Sequence, residues 1–114
     1  MQKPIFRLKI SRLPTKKYAV TFVNPLTGRI KTINFGARGY KDFTQTGNEE
    51  RKRLYRLRHR NDNFNDLTTP GGWSWNLLWN KKSLYDSIRD IENNFDIKII
   101  FDIPYTIIQA LFIP

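Results

Sequence analysis

Apolar and polar residues alternate in the first segment of the chain. Phe6, Leu8 and Ile10 would lie on one side of an extended backbone, and Arg7 and Lys9 on the other. This period of two is typical of a β-strand with one buried face. We therefore predict a basic strand within an N-terminal arm that spans residues 1–16.

Two more alternating segments, residues 17–23 and 29–35, flank the sequence NPLTG. Pro25 presets one dihedral angle of a turn, and Gly28 can supply a positive φ. Two strand-like runs joined by so short a turn sequence pair with each other. The pattern predicts a β-hairpin.

Residues 36–48 interrupt the alternation and predict a glycine-containing loop. A basic helix should follow, because Thr46 and Glu49 have the spacing of a capping box. Glu50 suits the positive N-terminus of such a helix, and Arg58 suits its negative C-terminus. The helix has few apolar residues, so its buried stripe should be narrow.

Residues 61–72 are polar, end in Pro-Gly-Gly and predict a second loop. Beyond it, Trp75, Leu78 and Trp79 recur at helical spacing, which favours burial in the core over a platform for stacking bases. Trp73 lies outside this stripe, and both interpretations stay open for it.

A further helix is predicted to begin at Ser83, a residue type that caps helix N-termini. Asp86 follows three residues later and suits the first turn. One apolar stripe runs along this helix and predicts its buried face. The stripe consists of Leu84, Ile88, Ile91 and Phe95.

The C-terminal segment is rich in β-branched and apolar residues and predicts a strand over residues 97–103. Pro104 lacks a backbone donor, so a strand-like tail should begin after it, at Tyr105. An apolar tail is typical of an interface, and it should pair with the N-terminal strand or dock on another subunit. The predicted partner interface comprises Phe6, Leu8, Ile10, Tyr105, Ile107, Ile108, Leu111 and Phe112.

These elements predict an α+β fold: a small antiparallel sheet built on a hairpin, packed by two or three short helices, with extended N- and C-terminal arms. The compact domain should span residues 17–95, and the apolar tail residues 96–114. The tail is far shorter than the ~20 apolar residues of a membrane-spanning helix. We expect no membrane crossing.

Charge is sorted along the chain. Residues 1–60 hold sixteen Lys and Arg and three acids, whereas residues 61–114 hold four Lys and Arg and seven acids. Clustered positive charge attracts a polyanion or an acidic protein surface. A solvated helix face would explain the densest cluster equally well. The candidate polyanion contacts are Arg38, Arg51, Lys52, Arg53, Arg56, Arg58 and Arg60.

The composition predicts no enzyme and no catalytic, cofactor or metal site. The chain has no cysteine, which excludes disulfides and thiolate chemistry. His59 is the single histidine; a metal-dependent nuclease using it with Asp62 and Asp66 is conceivable, but a polar loop explains these residues without chemistry. The FGARGYKDFT segment lacks the Lys and Ser or Thr of a P-loop, which favours a structural turn.

Residues 17–95 resemble a family of small basic proteins of unassigned activity from large double-stranded DNA viruses of algae and amoebae. The resemblance rests on the order of three motifs: FGARGYKDFT, then RKRLYRLRH, then WSWNLLWNKKSLYDSIRDIE. The family places proline where this chain has Lys82, and the tail from Asp96 has no counterpart in it.

The resemblance implies a structural virion protein, most simply a minor capsid or internal component that links capsid subunits through its arms. It also implies a location inside the capsid, and in the host cytoplasm or viral factory during assembly. The expected partners are capsid or other virion proteins, with homo-oligomerisation open. The alternative is a basic nucleic-acid-binding protein of genome packaging or the viral factory, with non-specific phosphate contacts to DNA or RNA.

Overall fold

A four-stranded sheet organises the structure, a computed structural model that describes residues 3–102. Its strands are β1 (Ile5–Ile10), β2 (Lys16–Val23), β3 (Ile30–Ala37) and β4 (Lys98–Phe101), in the spatial order β3-β2-β1-β4. β2 is antiparallel to β1 and β3, whereas β4 is parallel to β1. The predicted α+β fold is confirmed, with a mixed sheet in place of an antiparallel one.

Four helical segments follow the hairpin. They are α1 (Phe43–Thr46), α2 (Glu49–Arg58), α3 (Pro70–Trp73) and α4 (Leu84–Phe95). α3 continues without a break into a π-helical segment, Ser74–Trp79. The apolar faces of the sheet, of the α3 and π-helical segment, and of α4 form one core.

The hairpin is confirmed. The amide of Gly28 donates to the carbonyl of Asn24 at 2.8 Å, and the amide of Asn24 donates to the carbonyl of Arg29 at 2.8 Å. Gly28 has a φ of 71°, the left-handed conformation that a side chain disfavours. The predicted turn chemistry therefore closes the β2–β3 connection.

β1 has the predicted alternation, but the arm prediction is wrong for it. β1 lies between β2 and β4, and Leu8 is fully buried while Phe6 is 9% exposed. Ile10 is partly buried against the same core. These three side chains stabilise their own domain, so they cannot be the predicted partner interface; its other members, from Tyr105 onward, lie outside the described residues.

The helix starts differ from prediction in two places. α2 is capped by Asn48, whose side chain accepts a hydrogen bond from the amide of Arg51, and Thr46 belongs instead to α1. α3 begins at Pro70 with Thr69 as its cap, inside the stretch predicted as a loop. Proline suits a first helical turn because the missing amide hydrogen has no partner there anyway. The Ser83 cap of α4 is confirmed.

Trp73 is the centre of the core rather than an open surface residue. It is fully buried, its ring packs against Phe6 and Phe35, and its Nε1–H donates to the carbonyl of Leu67 at 2.8 Å. The preceding residue, Gly72, lets the start of α3 pack closely on the backbone at Asp66, because a Cβ on Gly72 would stand 2.0 Å from the carbonyl oxygen of Asp66. The predicted loop and the core are thus in direct contact.

Candidate functional site

The basic helix α2 presents two adjacent stripes of side chains, each with helical spacing. The first stripe packs on the Trp-containing π-helical segment and consists of Lys52, Tyr55, Arg56 and His59. The second stripe lines an open cleft and consists of Arg51, Leu54 and Arg58, with Tyr55 and His59 shared between the two. The basic residues of one helix therefore have different surroundings.

Tyr55 anchors the packing stripe. Its ring is stacked between those of His59 and Trp79, with centroid distances of 4.1 and 4.4 Å. The ring of Trp75 lies 6.4 Å from that of Tyr55 and is 12° from parallel to it. The stack fixes the position of α2 on the core.

Two cations of the packing stripe lie against aromatic rings. The guanidinium carbon of Arg56 is 4.6 Å from the centroid of Trp75 and 5.2 Å from that of Phe64. Lys52 Nζ lies 5.6 Å from the Trp75 centroid and donates to the carbonyl of Asn80 at 2.7 Å. Cation–π contacts of this kind stabilise helix packing, so these charges serve the fold.

The cleft has a volume of about 500 Å³ and lies between α2 and the ends of β2 and β3. Its walls carry the aromatic rings of Tyr40, Tyr55, His59 and Trp79. They also carry the cations Lys16, Lys17, Lys41, Arg51 and Arg58, and the single carboxylate Asp42. Five cations less one carboxylate leave a formal charge of +4.

The carboxylate of the cleft is already neutralised. Lys17 Nζ and Asp42 Oδ2 are 2.7 Å apart, and both side chains are nearly buried. Gln45 accepts a second hydrogen bond from Lys17, at 2.8 Å. Within residues 3–102, no carboxylate is paired with Lys16, Lys41, Arg51 or Arg58. These four cations set the electrostatic character of the cleft.

The loop on the sheet side of the cleft is held by hydrogen bonds. Arg38 donates from Nε and Nη2 to the carbonyl of Lys16, at 3.0 and 2.8 Å, and it does not line this cleft. Arg51 Nη2 donates to the carbonyl of Lys41 at 3.0 Å and connects the loop to α2. Gly36 is required at the floor, since a Cβ there would lie 2.8 Å from a methyl carbon of Leu78.

The predicted polyanion contacts are thus divided by the structure. Arg51 and Arg58 lie in the cleft, whereas Lys52 and Arg56 pack on aromatic rings. Arg53 pairs with Glu50 at 2.6 Å, and that ion pair lowers the pKa of the Glu50 carboxyl. Arg60 lies just beyond the end of α2, is exposed and donates to the carbonyl of Leu57, and neither it nor Arg53 lines the cleft.

Sequence reasoning missed Lys16 and Lys41 as site residues. Both lie outside the dense basic run, one at the start of β2 and the other in the loop before α1. Only the folded hairpin brings them opposite α2. Neither lysine belongs to a local sequence pattern that points to α2.

The three residues of the nuclease hypothesis do not form one group. His59 Nδ1 lies 3.1 Å from Asp62 Oδ2. Asp66 instead accepts hydrogen bonds from the backbone and hydroxyl of Thr68, which lower the pKa of its carboxyl. In the part of the chain that the structure describes, no three His, Cys, Asp or Glu side chains are grouped as metal ligands would be.

Tyr55 is a neutral hydrogen-bonding group of the cleft. Burial raises the pKa of its phenol to about 12, although a hydrogen bond with Ser74 acts in the opposite direction. The nearby charge of Asp62 adds to the increase. The phenol therefore stays protonated at physiological pH and adds no negative charge to the cleft.

Residues 6–59 match a family of unknown function, DUF5754. The matched stretch extends from β1 to the end of α2, so it includes all five cations of the cleft. No curated protein and no solved structure matches the chain.

The helices were also compared with the length of a bilayer. Among residues 3–102, none of the helices is both long and apolar enough to cross a membrane.

Proposed function

We propose that this chain is a nucleic-acid-binding protein that holds the phosphate backbone in the cleft between α2 and the hairpin. The observation that carries the proposal is the convergence of Lys16, Lys41, Arg51 and Arg58 on one cleft, with no carboxylate of the described residues paired to them. Lys and Arg neutralise phosphates and release condensed counterions, which is the main source of non-specific affinity for nucleic acid.

Aromatic side chains beside the cations favour nucleic acid over other polyanions. Proteins that bind nucleic-acid strands without sequence preference combine a positively charged groove with exposed aromatic rings. The cleft has this combination, and Tyr40 is 74% exposed on its wall.

Salt dependence tests this function. With four phosphate contacts, the slope of log K against log salt concentration should be about −3, and a fourfold rise in salt should weaken binding roughly 50-fold. Fluorescence anisotropy with labelled oligonucleotides measures it, and two unrelated sequences should give equal affinities because phosphate contacts carry no sequence information. A slope near zero would show that the cleft does not hold phosphates.

A structural role in a virus particle is the second candidate, and one feature of the sheet favours it. Ile5, Val23 and Ile30 line one shallow depression at an end of the sheet, with 46%, 58% and 75% of their surfaces exposed. Val23 and Ile30 are direct partners across the β2–β3 ladder. Adjacent exposed aliphatic side chains are typical of a contact with another protein, here a capsid subunit.

The two candidates are separable by one substitution. If Ile5, Val23 and Ile30 contact a capsid subunit, Ile30→Lys should exclude the protein from virus particles, because a charge would be buried in that contact. Its oligonucleotide affinity should not fall, since Ile30 is not among the residues lining the cleft. Incorporation at the wild-type level, measured on purified particles, would contradict the structural role.

A further inference from the structure

We infer that the cleft takes single-stranded nucleic acid, and that Tyr40 is the residue on which a base stacks. This inference rests on the proposed function and adds the form of the ligand to it. Stacking on an aromatic ring requires a base whose own face is open, which a base inside a duplex lacks. A stacking site in the cleft therefore needs an aromatic ring with an exposed face.

Tyr40 is the most exposed aromatic ring of the cleft. It is 74% exposed, and it is not stacked on another aromatic ring of residues 3–102. Tyr55, by contrast, has one face against His59 and the other against Trp79. Its position between two rings leaves no face for a base.

Tyr40 also stands where a strand would pass. It lines the basic cleft and a second cleft of about 340 Å³, whose walls include Lys17, Lys41 and Arg38. Tyr40 therefore borders two depressions that both carry positive charge. A strand following the cations from one depression to the other would bring a base over the ring.

The backbone under Tyr40 is fixed before any ligand binds. Arg38 holds one side of the loop through its hydrogen bonds to the carbonyl of Lys16. Arg51 holds the other side through the carbonyl of Lys41. Gly39, with a φ of 92°, makes the turn between them. Such preorganisation reduces the entropy lost when a ligand is bound.

The experiment compares a strand and a duplex on matched variants. The ligands are a labelled oligothymidylate of roughly 12 nucleotides, within the range of small single-strand-binding sites, and a duplex of similar length. Tyr40→Ala should weaken binding to the strand by roughly 5- to 100-fold and leave binding to the duplex unchanged. Tyr40→Phe keeps the ring and should bind the strand as the wild-type protein does.

Arg58→Gln distinguishes a failure of this inference from a failure of the proposed function. As a phosphate contact, Arg58 should matter equally for strand and duplex. If Arg58→Gln weakens both ligands while Tyr40→Ala changes neither, or weakens both equally, the stacking role is overturned and phosphate binding stands. If the wild-type protein binds neither ligand, both proposals are overturned.

Discussion

Replacing Trp73 with alanine should lower the free energy of unfolding by about 3–5 kcal/mol, the usual cost of removing a large aromatic side chain from a core. Trp73 is fully buried against Phe6 and Phe35, so its removal leaves a cavity between the sheet and α3. The carbonyl of Leu67 would also lose its donor. Since small domains are stable by only about 5–15 kcal/mol, the variant should be close to unfolding at 25 °C.

Urea unfolding followed by circular dichroism measures this loss without relying on tryptophan fluorescence. Tyr85→Ala is the matched control, because Tyr85 is an aromatic residue that is 65% exposed. Surface substitutions of that kind usually change stability by less than about 0.5 kcal/mol. If Trp73→Ala unfolds within 1 kcal/mol of the control, roughly the error of such comparisons, Trp73 is not the centre of the core.

The importance of Trp73 could not be predicted from helical periodicity. Periodicity places residues on one face of a regular helix, and Trp73 lies just before the π-helical segment that carries Trp75 and Trp79. Its burial depends on Gly72, which lets the helix start approach the backbone at Asp66. That approach is a long-range packing feature, and no local pattern encodes it.

Local signals were reliable where local physics decides the structure. The NPLTG turn and the Ser83 cap each satisfy nearby backbone groups, and both were predicted from a few adjacent residues. The cap of α2 was misplaced because Thr46 and Asn48 are both good capping residues. Thr46 is the last residue of the short helix α1, which has Asp42 and Gln45 as its capping box, so Asn48 is left to cap α2.

The direction of β4 is set by α4. The chain leaves β3 through three helices, and α4 then returns it to the free edge of β1. Asp96 ends α4 in a left-handed conformation, with a φ of 53°, immediately before Ile97 and β4. Sequence analysis located this strand and gave the N-terminal strand as one possible partner of the apolar C-terminal segment, but it had no signal for the direction of pairing, so the mixed sheet was not anticipated.

The candidate site was only partly predictable for the same reason. The high positive charge of the segment around α2 is visible in the sequence, but the side chains of one helix point in all directions. Burial of Tyr55 against Trp79 decides which of them turn inward. That single contact separates the Arg51 and Arg58 side of α2 from the Lys52 and Arg56 side, and the charge pattern alone does not contain it.

Neutralising the cleft should reduce affinity for nucleic acid far more than neutralising the same charge elsewhere on the chain. Arg51→Gln/Arg58→Gln removes two of the four cleft cations that are paired with no carboxylate of residues 3–102. If each contributes one charge-assisted contact of about 1.5 kcal/mol, affinity should fall by roughly 100-fold. The slope of log K against log salt should flatten by about 1.4 for a single strand.

Arg53→Gln/Arg60→Gln changes the net charge by the same amount and is the matched control, because neither side chain lines the cleft. It removes no charge from the cleft lining, and salt weakens the interactions that exposed charges make over longer distances. Thermal unfolding of both variants checks that the lost hydrogen bond from Arg51 to the Lys41 carbonyl leaves the fold intact.

The paired salt titration of these two double variants against one oligonucleotide is the most direct measurement of whether the cleft binds nucleic acid. We expect a large loss of affinity and a flatter slope for Arg51→Gln/Arg58→Gln, with a near wild-type curve for Arg53→Gln/Arg60→Gln. Equal losses in the two variants would mean that binding follows net charge alone. That result would contradict a binding site in the cleft.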